Sequence, residues 1–268
     1  MKTRTTILLL AGVLLAAGCT NQPKEFTTRT VKGERMWQLA VDDSTTEWVH
    51  NSYEIEWPAK GVLSGDAERE LLEKVFGSYV GRDLRRSCEN YLNSQGIVAE
   101  EGLHFPGFQV DAIPDTVWRT EQELKVVCDY DERLATVTVT PYIFPAGAAH
   151  GSYDIMPVVV DRRSGRIVHL ADIVDTNQLG PLVARAVNKL PANSQVKECL
   201  FDEFVGKETL PVSQVFSISD GMDTLYMVYG LYWLTPYCCG IQEVALPVSM
   251  LHETMALTKQ GEELLTTE

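Results

Sequence analysis

Residues 124–140 read LKVVCDYDERLATVTVT. Two apolar runs, 124–128 and 134–140, flank a charged segment at 129–133. In the second run Thr136, Thr138 and Thr140 share one side while Val137 and Val139 share the other, the period of two required of a strand with one buried face. The pattern predicts an antiparallel hairpin. A second hairpin is expected from 153–161 and 166–170, which enclose Arg162-Arg163-Ser164-Gly165 with glycine where a tight turn needs φ > 0.

Working outward, 26–39 and 50–57 look extended, with Tyr53, Ile55 and Trp57 alternating against polar neighbours. Asp66 is placed to cap one long amphipathic helix. Its apolar face would run through Leu71, Leu72, Val75, Phe76 and Tyr79, continue through Leu84, Cys88, Tyr91 and Leu92, and stop at Gly96. Toward the C-terminus a helix is expected over 181–190, capped by Asn177 or Gly180. Strands follow at 215–218 and 224–232, joined across Asp220-Gly221, and a last strand at 243–246 is closed by Pro247. The reading is α+β, an antiparallel β-sheet with helices packed on one side.

The chain opens with Lys2 and Arg4, an apolar run over 7–17, and the sequence Ala16-Ala17-Gly18-Cys19. This is the layout of a lipoprotein signal: cleavage is expected before Cys19, whose thiol would carry lipid. Each buried CH₂ contributes about 0.8 kcal/mol, so two or three acyl chains anchor firmly. The expected organisation is a signal peptide at 1–18, a lipidated tether at 19–32, a strand and helix region at 33–119, a second region at 120–258 and a polar tail at 259–268. Thr20 and Asn21, with no aspartate behind the cysteine, place the expected location in the bacterial envelope, lipid-anchored to the outer membrane and facing the periplasm.

The formal charge is −14, and loss of Lys2 and Arg4 with the signal takes it to −16. Such a charge argues against nucleic acid and favours either a cationic partner or solubility alone. Beyond Cys19 the cysteines are Cys88, Cys128, Cys199, Cys238 and Cys239. An odd count leaves at least one unpaired, and the readings are buried apolar residues or one or two disulfides. No C-x-x-C spacing and no nearby histidine suggests a zinc site, so no metal and no cofactor is expected.

Three motifs in order carry a resemblance: Gly147-Ala148-Ala149-His150, then Val159-Val160-Asp161-Arg162-Arg163-Ser164-Gly165, then Leu170-Ala171-Asp172-Ile173. A further set is Phe216-Ser217-Ile218-Ser219-Asp220-Gly221, Thr235-Pro236-Tyr237-Cys238-Cys239-Gly240 and Val244-Ala245-Leu246-Pro247. Residues 120–255 thereby resemble the extracytoplasmic domain family of RsiV-type anti-sigma factors, also found beside PdaC-type peptidoglycan deacetylases. Departures are Ala148 for a second glycine, Ser164 for threonine, and cysteines where small residues are usual. The family includes a lysozyme-sensing receptor and many lipoproteins, so the resemblance implies an envelope binding domain. Possible partners are a basic protein such as lysozyme, and peptidoglycan. The receptor's cytoplasmic sigma-binding segment has no expected counterpart in this chain.

Candidate ligand-binding residues are Gly147, His150, Ser152, Trp233 and Tyr237. His150 sits among small residues near Ser152 and Asp154. It reads as a turn residue bonded to backbone, as a partner contact, or as a catalytic base. The catalytic reading lacks a G-x-S-x-G elbow, so no catalytic residue is assigned. The five histidines are too scattered for a deacetylase metal site. An enzyme acting on glycans through a pair among the 37 acids, or a structural envelope component, stands as the alternative function. Tyr226, Tyr229, Tyr232, Trp233 and Tyr237 form an aromatic-rich segment suited to a core or to a partner surface.

Overall fold

A computed structural model of the chain describes residues 25–40, 46–94, 107–115 and 117–265. The expected signal peptide and Cys19 lie outside the described residues. The 124–140 hairpin forms as expected: β4 (Arg119–Tyr130) pairs antiparallel with β5 (Leu134–Phe144) across the charged turn, with Val126 opposite Val139. Upstream, β1 (Thr28–Ala40) and β2 (Thr46–Pro58) form a long antiparallel pair. The short strand β3 (Gly107–Val110) borders β1, and β6 (Ser152–Tyr153) borders β5. Downstream, β7 (Met156–Asp161) pairs antiparallel with β5 and with β8 (Arg166–Ile167). One eight-stranded sheet results, in the order β3-β1-β2-β4-β5-β7-β8 with β6 off β5. Among the described strands only β2 and β4 run parallel, and the helices between them belong to the crossover that parallel pairing requires.

The boundary expected at 119/120 therefore falls inside one sheet, because β2 and β4 exchange hydrogen bonds from Trp48 with Arg119 to Ile55 with Val126. The tether expected over 19–32 also ends earlier. Thr28 to Lys32 are already paired with β2, and Phe26 is buried, its ring 5.1 Å from that of Tyr130.

The single long helix is broken in two, α1 (Gly65–Phe76) and α2 (Leu84–Leu92). Ser64, not Asp66, caps α1 by accepting from the Ala67 amide at 3.2 Å. Gly77 ends it at φ +51°, a conformation glycine adopts without steric penalty. Asp83 then caps α2, accepting from the Arg86 amide at 2.8 Å, a bond that holds its carboxyl below the usual range. The apolar positions read from the sequence still face one core, since both helices cover the same side of the sheet. Buried Asn51 fastens the end of α2, donating through Nδ2 to the Ser94 carbonyl at 2.6 Å.

A second layer forms on the opposite face of the sheet's β7 end. It comprises α3 (Leu170–Ile173), α4 (Leu179–Lys189), α5 (Gln195–Cys199), α6 (Val248–Glu253) and α7 (Lys259–Leu265). With them comes a three-stranded antiparallel sheet of β9 (Phe216–Ile218), β10 (Thr224–Tyr229) and β11 (Gln242–Pro247). The α+β class holds. The helices divide, however: α1 and α2 cover one face, while the others pack with the small sheet against Leu134, Val159 and Val168 on the other. The polar tail expected at 259–268 is in part helical. In α7 Leu265 is buried, and Gly261 lies so close to the Ile173 carbonyl that a side chain there would collide with it.

One disulfide joins Cys199 to Cys239 across 40 residues of sequence, tying α5 to the loop before β11. Closing a loop of that length stabilises the fold by about 4 kcal/mol on the chain-entropy account, within a usual range of about 2–4 kcal/mol. Replacing Cys199 with Ala is expected to lower the urea midpoint by the equivalent of about 2–4 kcal/mol, checked by equilibrium unfolding.

Candidate ligand-binding site

Two loops carry most of the residues singled out from the sequence. Loop 145–151 joins β5 to β6, and loop 230–241 joins β10 to β11. They meet through Tyr237. Its ring stacks on that of His150 with centroids 3.9 Å apart and planes 20° apart, and its hydroxyl donates to the Gly151 carbonyl at 2.6 Å. Nδ1 of His150 also lies 3.1 Å from the Gly151 carbonyl, so this imidazole is a turn residue wedged between backbone and aromatic ring. Ser152, on exposed β6, lies two residues further along the chain but makes no triad with it among the described contacts.

The neighbouring glycines make room for rings. A Cβ on Gly151 would lie 2.5 Å from the Tyr142 hydroxyl and 2.6 Å from its ring. Gly147, at φ +79°, lies against Trp118, where a Cβ would meet the indole at 3.3 Å. Gly147 thus belongs to a neighbouring hollow with Trp118, Arg119 and Phe144, not to the His150 contact. Tyr232 stands 5.9 Å from Tyr237, and its backbone takes φ +64°. For a residue other than glycine that conformation costs roughly 1–2 kcal/mol, and such outliers gather where a fold serves a ligand. The outcome is an exposed set of rings: Trp118 is 74% exposed, Tyr232 61% and Trp233 51%.

A cleft of about 440 Å³ opens beside Trp233. Ser152 and Trp233, two of the candidates, both line it. Tyr79, Tyr91, Tyr142 and Tyr153 supply further walls, with Tyr79 and Tyr91 edge to face at 5.7 Å. Sequence reading missed these four: Tyr79 and Tyr91 come from the α1–α2 region far from the loop motifs, while Tyr142 and Tyr153 lie on the strands that flank loop 145–151. It noted Asp154 near His150 without assigning it a role, and it missed Gln122. Asp154 accepts from the Ile155 amide at 2.8 Å, yet burial in the cleft wall raises its carboxyl above the usual range. Gln122 is 6% exposed, lines the cleft, and has no hydrogen-bond partner for its Nε2. A buried donor in that state costs about 1–3 kcal/mol.

Thiol chemistry is confined. Burial pushes the Cys88 thiol up to about 11 and the Cys128 thiol up to about 12, which leaves both protonated and unreactive at neutral pH. Cys238 is exposed, with its sulfur 3.8 Å from that of Cys239. Among the described residues no group of three or more His, Cys, Asp or Glu side chains is arranged to hold a metal ion, and no helix is long and apolar enough to cross a membrane.

No protein-family model matches the chain, and no curated protein matches it. Two crystal structures share its fold. A DUF3298 family member from Bacteroides fragilis NCTC 9343 superposes with a TM-score of 0.64 at 14% identity, covering 92% of this chain and 100% of that one. A DUF3298 family protein from Pseudomonas aeruginosa PAO1 gives a TM-score of 0.54 at 17% identity, covering 92% of this chain and 99% of its own. At these identities the likeness is one of fold: an α+β domain found in bacterial proteins of an uncharacterised family.

The raised Asp154 carboxyl carries a sign. Because the folded state holds this proton more tightly than the unfolded state, stability attributable to Asp154 falls as pH rises above the ordinary carboxylate range. Asp154→Asn keeps an acceptor for the Ile155 amide, so the variant is expected to gain stability relative to the parent as pH moves from acid to neutral. Paired urea midpoints measured across that range check it, and parallel pH profiles would contradict it.

Proposed function

We propose that this chain is a non-enzymatic lipoprotein of the bacterial envelope, anchored through lipid on Cys19. Its RsiV-like domain holds a protein ligand at the two-loop aromatic face. The observation that carries this reading is the exposure of Tyr232 and Trp233 on the loop that carries Tyr237 of the His150–Tyr237 stack, with exposed Trp118 against Gly147 on the other loop. Large exposed rings on a soluble surface mark interaction sites, and Tyr and Trp dominate binding energy where they are buried by a partner. The formal charge of −16 after loss of Lys2 and Arg4 with the signal supports a basic partner, drawn in by long-range attraction and held by the rings. A lysozyme is the most concrete candidate, through the family resemblance. Binding without turnover is the mechanism. His150 positions the Tyr237 ring, and the Cys199–Cys239 disulfide fixes the base of the loop that presents it.

Titration calorimetry of the protein against a c-type lysozyme, at low and at physiological salt, tests the proposal. Saturable binding of defined stoichiometry is expected at both salts. Trp118→Ser and Tyr232→Ser are each expected to weaken it about tenfold or more. Heat that disappears at physiological salt would reduce the interaction to unspecific attraction between acid and base and overturn the proposal.

A further inference from the structure

The cleft beside Trp233 shares only that ring with the proposed protein-binding face, and an inference from it stands whether or not a protein partner binds there. Its walls are flat rings, its volume of about 440 Å³ lies within the range of small-ligand sites, and a few polar groups converge on it. Gln122 is the informative one. It faces inward from β4 in the same alternation as Leu124 and Val126, but where those residues meet core, Gln122 lines the cleft. Its Nε2 is buried and has no hydrogen-bond partner. Buried donors are satisfied in folded proteins by protein, by water or by a ligand, so this position asks for an acceptor delivered into the cleft.

The remaining groups define what carries that acceptor. Asp154 offers a carboxylate to hydroxyl donors, and Ser152 can donate or accept. Glu123 also lines the cleft, whereas no Lys or Arg does so among the described residues, which disfavours an anionic ligand. Tyr91, Tyr142, Tyr153 and Trp233 offer apolar faces to a ring that is itself apolar above and below and polar around its edge. From these observations we propose that the cleft binds a neutral pyranose bearing an acetamido group: the sugar face lies on the aromatic wall, its hydroxyls donate to Asp154, and its acetamido carbonyl accepts from Gln122 Nε2.

The test is calorimetric titration of the full chain, solubilised in detergent, with tri-N-acetylchitotriose, and with cellotriose as the trimer lacking acetamido groups. The N-acetylated trimer is expected to bind saturably and cellotriose at least tenfold more weakly. Gln122→Leu removes the donor while keeping the side chain's bulk, and is expected to weaken the N-acetylated trimer about tenfold with no loss in thermal midpoint. Trp233→Phe keeps the ring against Tyr229 while shortening the exposed wall, and is expected to weaken both sugars with an unchanged thermal midpoint. Equal affinity for the two trimers, unchanged binding by Gln122→Leu, or absence of saturation by either sugar would each overturn the proposal and leave Gln122 a group solvated by water.

Discussion

The fold depends on one strand that is buried on both faces. In β7, Val158 and Val160 point into the core covered by α1 and α2, while Val159 points into the core built from α3, α4 and the small sheet. All three are under 10% exposed. Neighbouring β5 divides the same way, with Leu134 on one side and Ala135, Val137 and Val139 on the other. A strand in that position cannot alternate apolar with polar residues, and the unbroken Val158-Val159-Val160 run is the consequence. Through it two hydrophobic cores, each large, are laid back to back on a single sheet.

The candidate site follows from this arrangement. Loop 145–151 belongs to the large sheet and loop 230–241 to the small one. They can meet with the accuracy of a 3.9 Å ring stack only because the two sheets are fixed to one another near by. Tyr237 spans the join, and Asp154 lies beside Gly230, where a Cβ would meet its Oδ1 at 3.2 Å. The polar groups of the cleft sit at the same seam, where the core below α1 and α2 runs out and Gln122 takes the place in the alternation that Leu124 and Val126 hold beneath the helices. Rigid elements therefore hold the rings, and loops expose them, which is the usual division between scaffold and binding surface.

Much of the scaffold was legible. The Val/Thr alternation over 134–140, the Gly165 turn and the apolar spacing of α1, α2 and α4 depend on local geometry, which sequence pattern reports directly. Errors arose where a tertiary partner decided the outcome. A single helix was expected through Gly77, but the glycine's left-handed φ and the Ser64 and Asp83 caps divide it. Residues 28–32 carry a polar sequence because their side chains stay largely in solvent while their backbone pairs with β2, and the buried positions of 259–265 are visible only once Ile173 is in place. For the site, His150, Ser152, Trp233 and Tyr237 converge on one region, as their presence in two aromatic and glycine-rich loops suggested. Gly147 lies in the adjoining hollow with Trp118. Gln122, Tyr79, Tyr91 and Tyr142 were hidden, since nothing in a strand or helix pattern tells a core position from one that opens onto a cleft.

The central claim is that β7 joins the two cores into one cooperative body and so holds the two loops in register. Native-state hydrogen exchange at increasing denaturant tests it most directly, read at the amides of β5, β7 and β10. The account predicts that the slowest amides of all three strands merge into one opening isotherm at a common free energy. If β10 and its neighbours open at lower free energy while β5 and β7 remain protected, the small sheet is a separate unit and the account is contradicted.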